Sequence, residues 1–202
     1  MTADWVWFAA GVTQDLETVA FESAEAFRAW LGENHAVSPG IWLKLRKKGA
    51  GIVALDYAQA LDEALCYGWI DGRKAKFDDE WWLQRFTPRT PRSKWSRINR
   101  DKAEALIEQG RMRPPGQAQV DRAKADGRWE AAYEGAKTAT VPDDLRAALA
   151  ADPAAAQFFE TLDRQNRYAI LYRIQDAKRA ETRARRIEKY VEMLAKGEKL
   201  HP

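Results

Sequence analysis

Apolar residues recur at helical spacing in two stretches of the first half of the chain. One stretch follows Ser23 and the other follows Asp56, and both side chains are suited to cap a helix. Each stretch has one apolar face, so the pattern predicts helices over about 23–33 and 56–67, the second ending near Gly68. The apolar positions are Phe27, Trp30 and Leu31 in the first helix, and Tyr57, Ala60, Leu61, Ala64 and Leu65 in the second.

Other segments alternate apolar and polar residues with the period of a β-strand. This alternation is found in residues 41–46, 75–77 and 81–86. The last two segments flank the acidic turn Asp78-Asp79-Glu80 and predict a β-hairpin, with a further turn at Asp71 and Gly72 before it. A short strand is expected near Thr18, after an arm or strand in the first residues. The sequence thus predicts a sheet of four or five mostly antiparallel strands.

The middle of the chain is interrupted by proline and glycine. A helix over 99–109 is predicted, capped by Asn99 and with Ile98 packing on Ala103 beside the cap. A polar helix over about 117–125 follows a Pro-Pro-Gly run. This part of the chain is therefore expected to extend the first domain with short helices.

The pattern after about residue 142 is helical. Pro142, Asp152 and Asp163 each fit the start of a helix, and a final helix ends at Gly197. The whole pattern predicts an α+β protein, in which a small, mostly antiparallel sheet covered by two helices is followed by a helical C-terminal subdomain. The predicted division is an α+β domain over 1–133 with a basic helical extension from about 85, a linker over 134–141, and the helical subdomain over 142–202.

The charge and the cysteine and histidine content limit the classes of function that the sequence allows. The net charge is +3 and the sequence pI is about 8.9, so a claim of anion binding has to rest on a local patch. The single cysteine, Cys66, excludes an intrachain disulfide, and two histidines without ligand spacing argue against a zinc site. We find no catalytic constellation and no phosphate-binding loop, and therefore predict no catalytic residue, metal or cofactor. Without a signal-peptide pattern or an apolar run of about 18 residues, a cytoplasmic protein that does not span a membrane is expected.

The segment 85–113 carries a local surplus of positive charge. It holds nine lysines and arginines against three acids, and aromatic residues interrupt the cations. Such a pattern is typical of surfaces that stack nucleobases or bind phosphates. The alternative, which we favour, is a loop whose arginines pair with nearby carboxylates while Trp95 packs into the body of the protein.

The nine tryptophans suggest a ligand pocket. Several lie on strands or loops that are expected to converge, and cations at the rim could hold an amphipathic or anionic small molecule. Ordinary core packing explains the same residues equally well. The candidate ligand-binding residues are Trp42, Trp69, Trp82, Arg85, Arg89, Arg92, Lys94 and Trp95.

A second candidate for anion binding is a row of arginines on the last predicted helix. Arg179, Arg183 and Arg186 lie with Tyr190 on one flank, about 90° from the apolar stripe. The row could bind an anionic partner. The alternative, again favoured, is a solvated flank with i,i+4 ion pairs.

Four sequence blocks resemble the bacteriocin-protection, YdeI/OmpD-associated family. They are ALCYGWIDG (64–72), RFTPRTPRSKWSRIN (85–99), QGRM (109–112) and ETRARRIEKYVEMLAKG (181–197). The resemblance implies a link to envelope stress and to resistance against cationic antimicrobial peptides. It supplies no catalytic residues.

Three functional hypotheses follow. The leading one is a non-catalytic stress-protection protein that acts by binding, as the resemblance implies. The second is a binder of nucleic acid or another polyanion through 85–100 and 179–186. The third is an enzyme acting on a small anionic substrate in a tryptophan-lined pocket. The partner is thus unknown, with an anionic ligand or a polyanion as the candidates.

Overall fold

The structure, a computed structural model, describes residues 16–47 and 54–202. The chain divides into two compact units. The first comprises Met1–Pro91 and Gly110–Gln119, and the second comprises Arg92–Gln109 and Val120–Pro202. The arm or strand predicted for the first residues lies outside the described part.

The first unit contains a four-stranded sheet. Its strands are β1 (Thr18–Val19), β2 (Ile41–Arg46), β3 (Trp69–Lys76) and β4 (Trp81–Pro88), in the order β1-β2-β4-β3. Strand β4 pairs antiparallel with β2 and β3, whereas β1 runs parallel to β2. The predicted α+β class with a small, mostly antiparallel sheet is therefore confirmed, and one parallel pair at the edge makes the sheet mixed.

Both predicted helices of this unit are present. They are α1 (Ala24–Asn34) and α2 (Tyr57–Cys66). Helix α1 begins after the predicted cap Ser23, and α2 begins with a reciprocal capping box between Asp56 and Gln59. Most of each apolar face is buried, with Trp30 and Tyr57 half-buried, and the Phe27 ring lies 6.1 Å, centroid to centroid, from Phe86 on β4. Helices and sheet thus share one core.

Strand β3 is longer than predicted. Asp71 and Gly72 lie within it, at an irregularity where the register with β4 shifts between Asp71 and Lys74. The buried Gln84 side chain donates from Nε2 to the carbonyl oxygen of Gly72 at 2.9 Å and satisfies the irregular backbone. The turn prediction is wrong because glycine inside a strand also suits a bulge.

The segment Gly110–Gln119 packs closely on the end of α2. Helix α4 (Pro114–Ala125) begins at Pro114 rather than near Gln117, because proline is tolerated in the first turn of a helix. A Cβ atom added to Gly116 would stand 2.2 Å from the carbonyl oxygen of Cys66. Because glycine has no side chain, this segment can approach the end of α2 closely.

A buried carboxylate joins α1, α2 and the same segment. Glu63 is 1% exposed, and it accepts hydrogen bonds from Arg28 Nε at 2.8 Å and from Nη2 of Arg28 and of Arg111 at 2.7 Å each. Burial raises the pKa of Glu63. The hydrogen bonds from both arginines lower it by more, so the pKa of Glu63 is below its ordinary value. Glu63 was not among the candidate residues, because it lies outside the apolar stripe of α2, where a charged side chain is expected to face solvent.

The second unit is helical over most of its described length. Besides the end of α4, its helices are α3 (Arg97–Glu108), α5 (Asp143–Ala150), α6 (Pro153–Thr161), α7 (Arg164–Gln175) and α8 (Ala180–Ala195). The predicted cap of α3 is wrong. Ser96 caps the helix and accepts from the backbone N–H of Asn99 at 3.2 Å, and Ile98, expected to pack on Ala103, is exposed.

The helices α5–α8 share one apolar core. Tyr190, placed beside the arginine row by the sequence, belongs to this core. The core residues are Leu145, Leu149, Ala155, Phe159, Leu162, Ile170, Leu171, Ile174, Ile187, Tyr190 and Leu194. All lie within 142–202, while the domain boundaries themselves stay a prediction.

Candidate functional site

An open cleft of about 620 Å³ lies among α5, α6 and α7 of the second unit. This volume is within the range of small-molecule sites, roughly 300–1,000 Å³. Apolar side chains form much of the wall, and two arginines contribute positive charge. The lining residues are Ala139, Thr140, Val141, Arg146, Leu149, Ala150, Ala156, Phe159, Glu160 and Arg167.

Aspartates near the helix starts position these walls. Asp152 accepts from the backbone N–H of Ala155 at 3.0 Å to begin α6, and Asp163 accepts from that of Asn166 at 2.7 Å to begin α7, as predicted. Pro142, expected as the first helical residue, is instead the N-cap of α5. Short links between capped helices bring side chains that are distant in sequence to one cleft.

The two arginines are held by exposed carboxylates. Arg146 donates from Nη1 to Asp143 Oδ1 at 2.6 Å, and Arg167 donates from Nη1 to Glu160 Oε2 at 3.2 Å. The Arg167 guanidinium also stands 4.5 Å from the centroid of the Phe159 ring. Because exposed ion pairs contribute only about 0–1 kcal/mol, an anion entering the cleft can replace these carboxylates at small cost.

The residues of the predicted tryptophan pocket that lie in the first unit have different environments. Trp69 is fully buried, whereas Trp42 is half-buried and pairs in register with Arg85 across β2 and β4. Arg89 is buried. Trp82 lines a cavity in this unit. The ligand-binding role of these residues stays a prediction.

The other three members of that set lie in the second unit. Trp95 is buried, with its ring 4.8 Å from that of Trp129, and Arg92 is exposed. Lys94 donates to the carboxylate of Asp176, and this hydrogen bond raises the pKa of the Lys94 ammonium. The structure thus places Trp95 in a core and Lys94 in an ion pair.

Carboxylates also pair with further cations of the basic segment. Arg97 donates to Glu134 at 2.8 Å, and Arg100 contacts Asp101 at 3.1 Å. This arrangement fits the ion-paired interpretation favoured from sequence. Binding of nucleic acid or another polyanion stays a prediction.

The three arginines of the row on α8 also have different environments. Arg183 donates to both Asp144 oxygens, at 2.5 and 2.9 Å, and this bond holds the pKa of Asp144 below its ordinary value. Arg186 donates to the backbone carbonyl of Arg173, whereas Arg179 is exposed at the N-cap. Arg183 lines a smaller cavity of about 230 Å³ beside the cleft.

The cysteine and the acidic and histidine side chains are the other groups that could be reactive. Cys66 is buried, and burial raises the pKa of its thiol to about 11, which makes the reactive thiolate scarce at neutral pH. Over residues 16–47 and 54–202, no cluster of three or more histidine, cysteine, aspartate or glutamate side chains is arranged to hold a metal ion. Within the same ranges, no helix combines the length and apolar composition needed to cross a bilayer.

Comparison with protein families gives two matches. The family described as bacteriocin-protection, YdeI or OmpD-associated matches residues 138–197. The chain therefore carries a C-terminal segment similar to this bacteriocin-protection family. The model of a domain of unknown function (DUF8412) matches residues 19–119, half of the chain, so the chain belongs to that domain family. Comparison with curated proteins and with solved structures gives no match.

We call residues 138–197 the protection segment. Every residue that lines the cleft lies within it. Three of the sequence blocks that carried the resemblance, at 64–72, 85–99 and 109–112, lie instead in the first-half domain, and only 181–197 lies in the protection segment. Arg146 and Arg167 were missed from sequence because they belong to different helices and follow no motif.

Proposed function

We propose that this chain is a bacteriocin-protection protein that acts by binding an anionic amphiphile in the cleft, without catalysis. The observation that carries the proposal is the lining of the cleft, which combines apolar walls with Arg146 and Arg167 inside the protection segment. Apolar walls suit a hydrocarbon chain. A guanidinium group binds a carboxylate or phosphate through two parallel hydrogen bonds.

This ligand chemistry supports a role in resistance to cationic antimicrobial peptides and in the stress response. Cationic amphipathic peptides bind membranes through apolar burial and through attraction to anionic lipids. A protein that binds anionic amphiphiles therefore binds the same class of molecule as these peptides do. Protection by competition for that ligand is the mechanism that we propose.

The direction of the pKa shifts supports the non-catalytic part of the proposal. The pKa values of Glu63 and Asp144 are lowered and that of Lys94 is raised, so each charged form is stabilised at neutral pH. General acid–base catalysis works best with a pKa near the working pH, and these shifts move away from it. The raised pKa of the Cys66 thiol likewise opposes a nucleophilic role.

Dodecyl phosphate, held below its critical micelle concentration, is the probe for this site. We expect saturable binding by isothermal titration calorimetry. Arg146→Ala and Arg167→Ala should each weaken binding about tenfold, because a hydrogen bond to a charged group contributes roughly 1.5 kcal/mol. Ala150→Trp, at an exposed position of the wall, should block binding without disturbing the core.

The matched control is Arg185→Ala. Arg185 is an exposed arginine on α8 that does not line the cleft, so it removes the same charge from the same unit. Equal losses in Arg185→Ala and Arg146→Ala would show non-specific attraction rather than a site. Full-affinity binding by Ala150→Trp would place the ligand elsewhere.

A further inference from the structure

A cavity in the first unit has a chemistry different from that of the cleft. It measures about 560 Å³ and lies where α2 begins and β2 ends. Aromatic rings and cations line it together. The lining residues are Arg46, Lys47, Asp56, Tyr57, Ala58 and Trp82.

The aromatic wall is fixed by contacts within the protein. The rings of Tyr57 and Trp82 lie 6.0 Å apart, centroid to centroid, at 44°. The Tyr57 hydroxyl donates to Asp71 Oδ2 at 2.8 Å, and the Lys74 ammonium stands 5.7 and 5.1 Å from the two ring centroids. Both rings are therefore held in position before any ligand arrives, which lowers the cost of stacking on them.

Two consecutive cations adjoin this wall. Lys47 donates from Nζ to the carbonyl oxygen of Asp78 at 2.7 Å, a neutral acceptor that fixes the ammonium without cancelling its charge. Arg46 is exposed at the end of β2. The Asp56 carboxylate accepts from the backbone N–H of Gln59 at 2.9 Å, so its negative charge is held by the helix that it caps.

We infer that this cavity binds a planar aromatic anion. The ring of the ligand stacks on Trp82 and Tyr57, and its phosphate or carboxylate is bound by Arg46. Stacking of a base on an aromatic side chain contributes without requiring a particular base, and a guanidinium supplies the complementary charge. This site lies in a different unit from the cleft and shares no residue with it, so either proposal can fail alone.

Adenosine monophosphate, adenosine and inorganic phosphate separate the two contributions. We expect adenosine monophosphate to bind saturably by calorimetry, with adenosine and phosphate each at least tenfold weaker. Arg46→Ala should weaken binding of the monophosphate about tenfold and leave adenosine unchanged. Trp82→Phe should weaken both, with circular dichroism confirming that the variant is folded.

The control variant is Arg73→Ala, which removes an exposed arginine of β3 that does not line the cavity. It should bind adenosine monophosphate as the wild type does. Equal losses in Arg73→Ala and Arg46→Ala would overturn the assignment of the anion contact. If the monophosphate bound no more tightly than phosphate, the proposed stacking of the ligand on the aromatic rings would be contradicted. Absence of saturable binding for both adenosine monophosphate and 2-naphthoate, a planar carboxylate, would overturn the inference as a whole.

Discussion

Glu63→Ala is expected to lower the free energy of unfolding by about 3 kcal/mol. The substitution removes the acceptor of three hydrogen bonds and leaves Arg28 and Arg111 without their shared carboxylate. Removing one partner of a buried pair typically costs about 3–5 kcal/mol. Both arginine side chains are more than a third exposed, so water compensates part of the loss and places the effect at the lower end.

Urea denaturation at neutral pH measures this loss. The matched control is Glu33→Ala, which removes an exposed carboxylate from α1 and should change stability by less than about 0.5 kcal/mol. Similar losses in the two variants would mean that net charge, rather than the buried pair, stabilises the unit.

The pH dependence of the same variant has a defined sign. Because the folded-state pKa of Glu63 is below its unfolded value, its contribution is present above the unfolded pKa of about 4.3 and is lost as the pH falls through the folded pKa. The stability difference between wild type and Glu63→Ala should therefore shrink below about pH 4. A difference that stays constant to lower pH would contradict the paired, ionised state.

Gly116→Ala is expected to lower the free energy of unfolding by about 2 kcal/mol. The new Cβ atom would stand 2.2 Å from the carbonyl oxygen and 2.7 Å from the carbonyl carbon of Cys66, and backbone atoms cannot rotate away as a side chain can. Insertion into a packed site typically costs about 1–3 kcal/mol. Helix propensity alone predicts the opposite sign, since alanine is favoured over glycine by about 1 kcal/mol inside a helix.

Gly32→Ala provides the matched control for this prediction. Gly32 also lies within a helix, α1, but a Cβ atom there meets its nearest neighbour at 3.6 Å, an ordinary contact. Thermal or urea unfolding should show that Gly32→Ala is unchanged or more stable. An equally stable Gly116→Ala would show that α4 and the end of α2 can separate without loss.

Local sequence signals predicted much of the fold. Ser23, Asp56, Asp152 and Asp163 cap helices as expected because a capping side chain acts only on the next three residues. The alternation in 41–46 predicted β2 because successive side chains of a strand point to opposite faces of the sheet. Asn99 failed because Ser96, three residues earlier, offers the same chemistry and only the tertiary structure decides between them.

The cleft could not be predicted from such signals. Arg146 and Arg167 lie on α5 and α7, and their proximity depends on how the helices pack around Leu149 and Phe159. The candidate pocket residues Trp69 and Trp95 are instead buried, because tryptophan suits a core as well as a binding site. Trp82, by contrast, lines a cavity of the first unit.

Survival during exposure to a cationic amphipathic antimicrobial peptide tests the central proposal most directly. A strain that lacks the gene would be complemented with wild type, Ala150→Trp or Arg185→Ala, at equal levels of folded protein. Binding in the cleft predicts that wild type and Arg185→Ala restore survival and that Ala150→Trp does not. Full rescue by Ala150→Trp, or a survival curve unchanged by deletion, would contradict protection through the cleft.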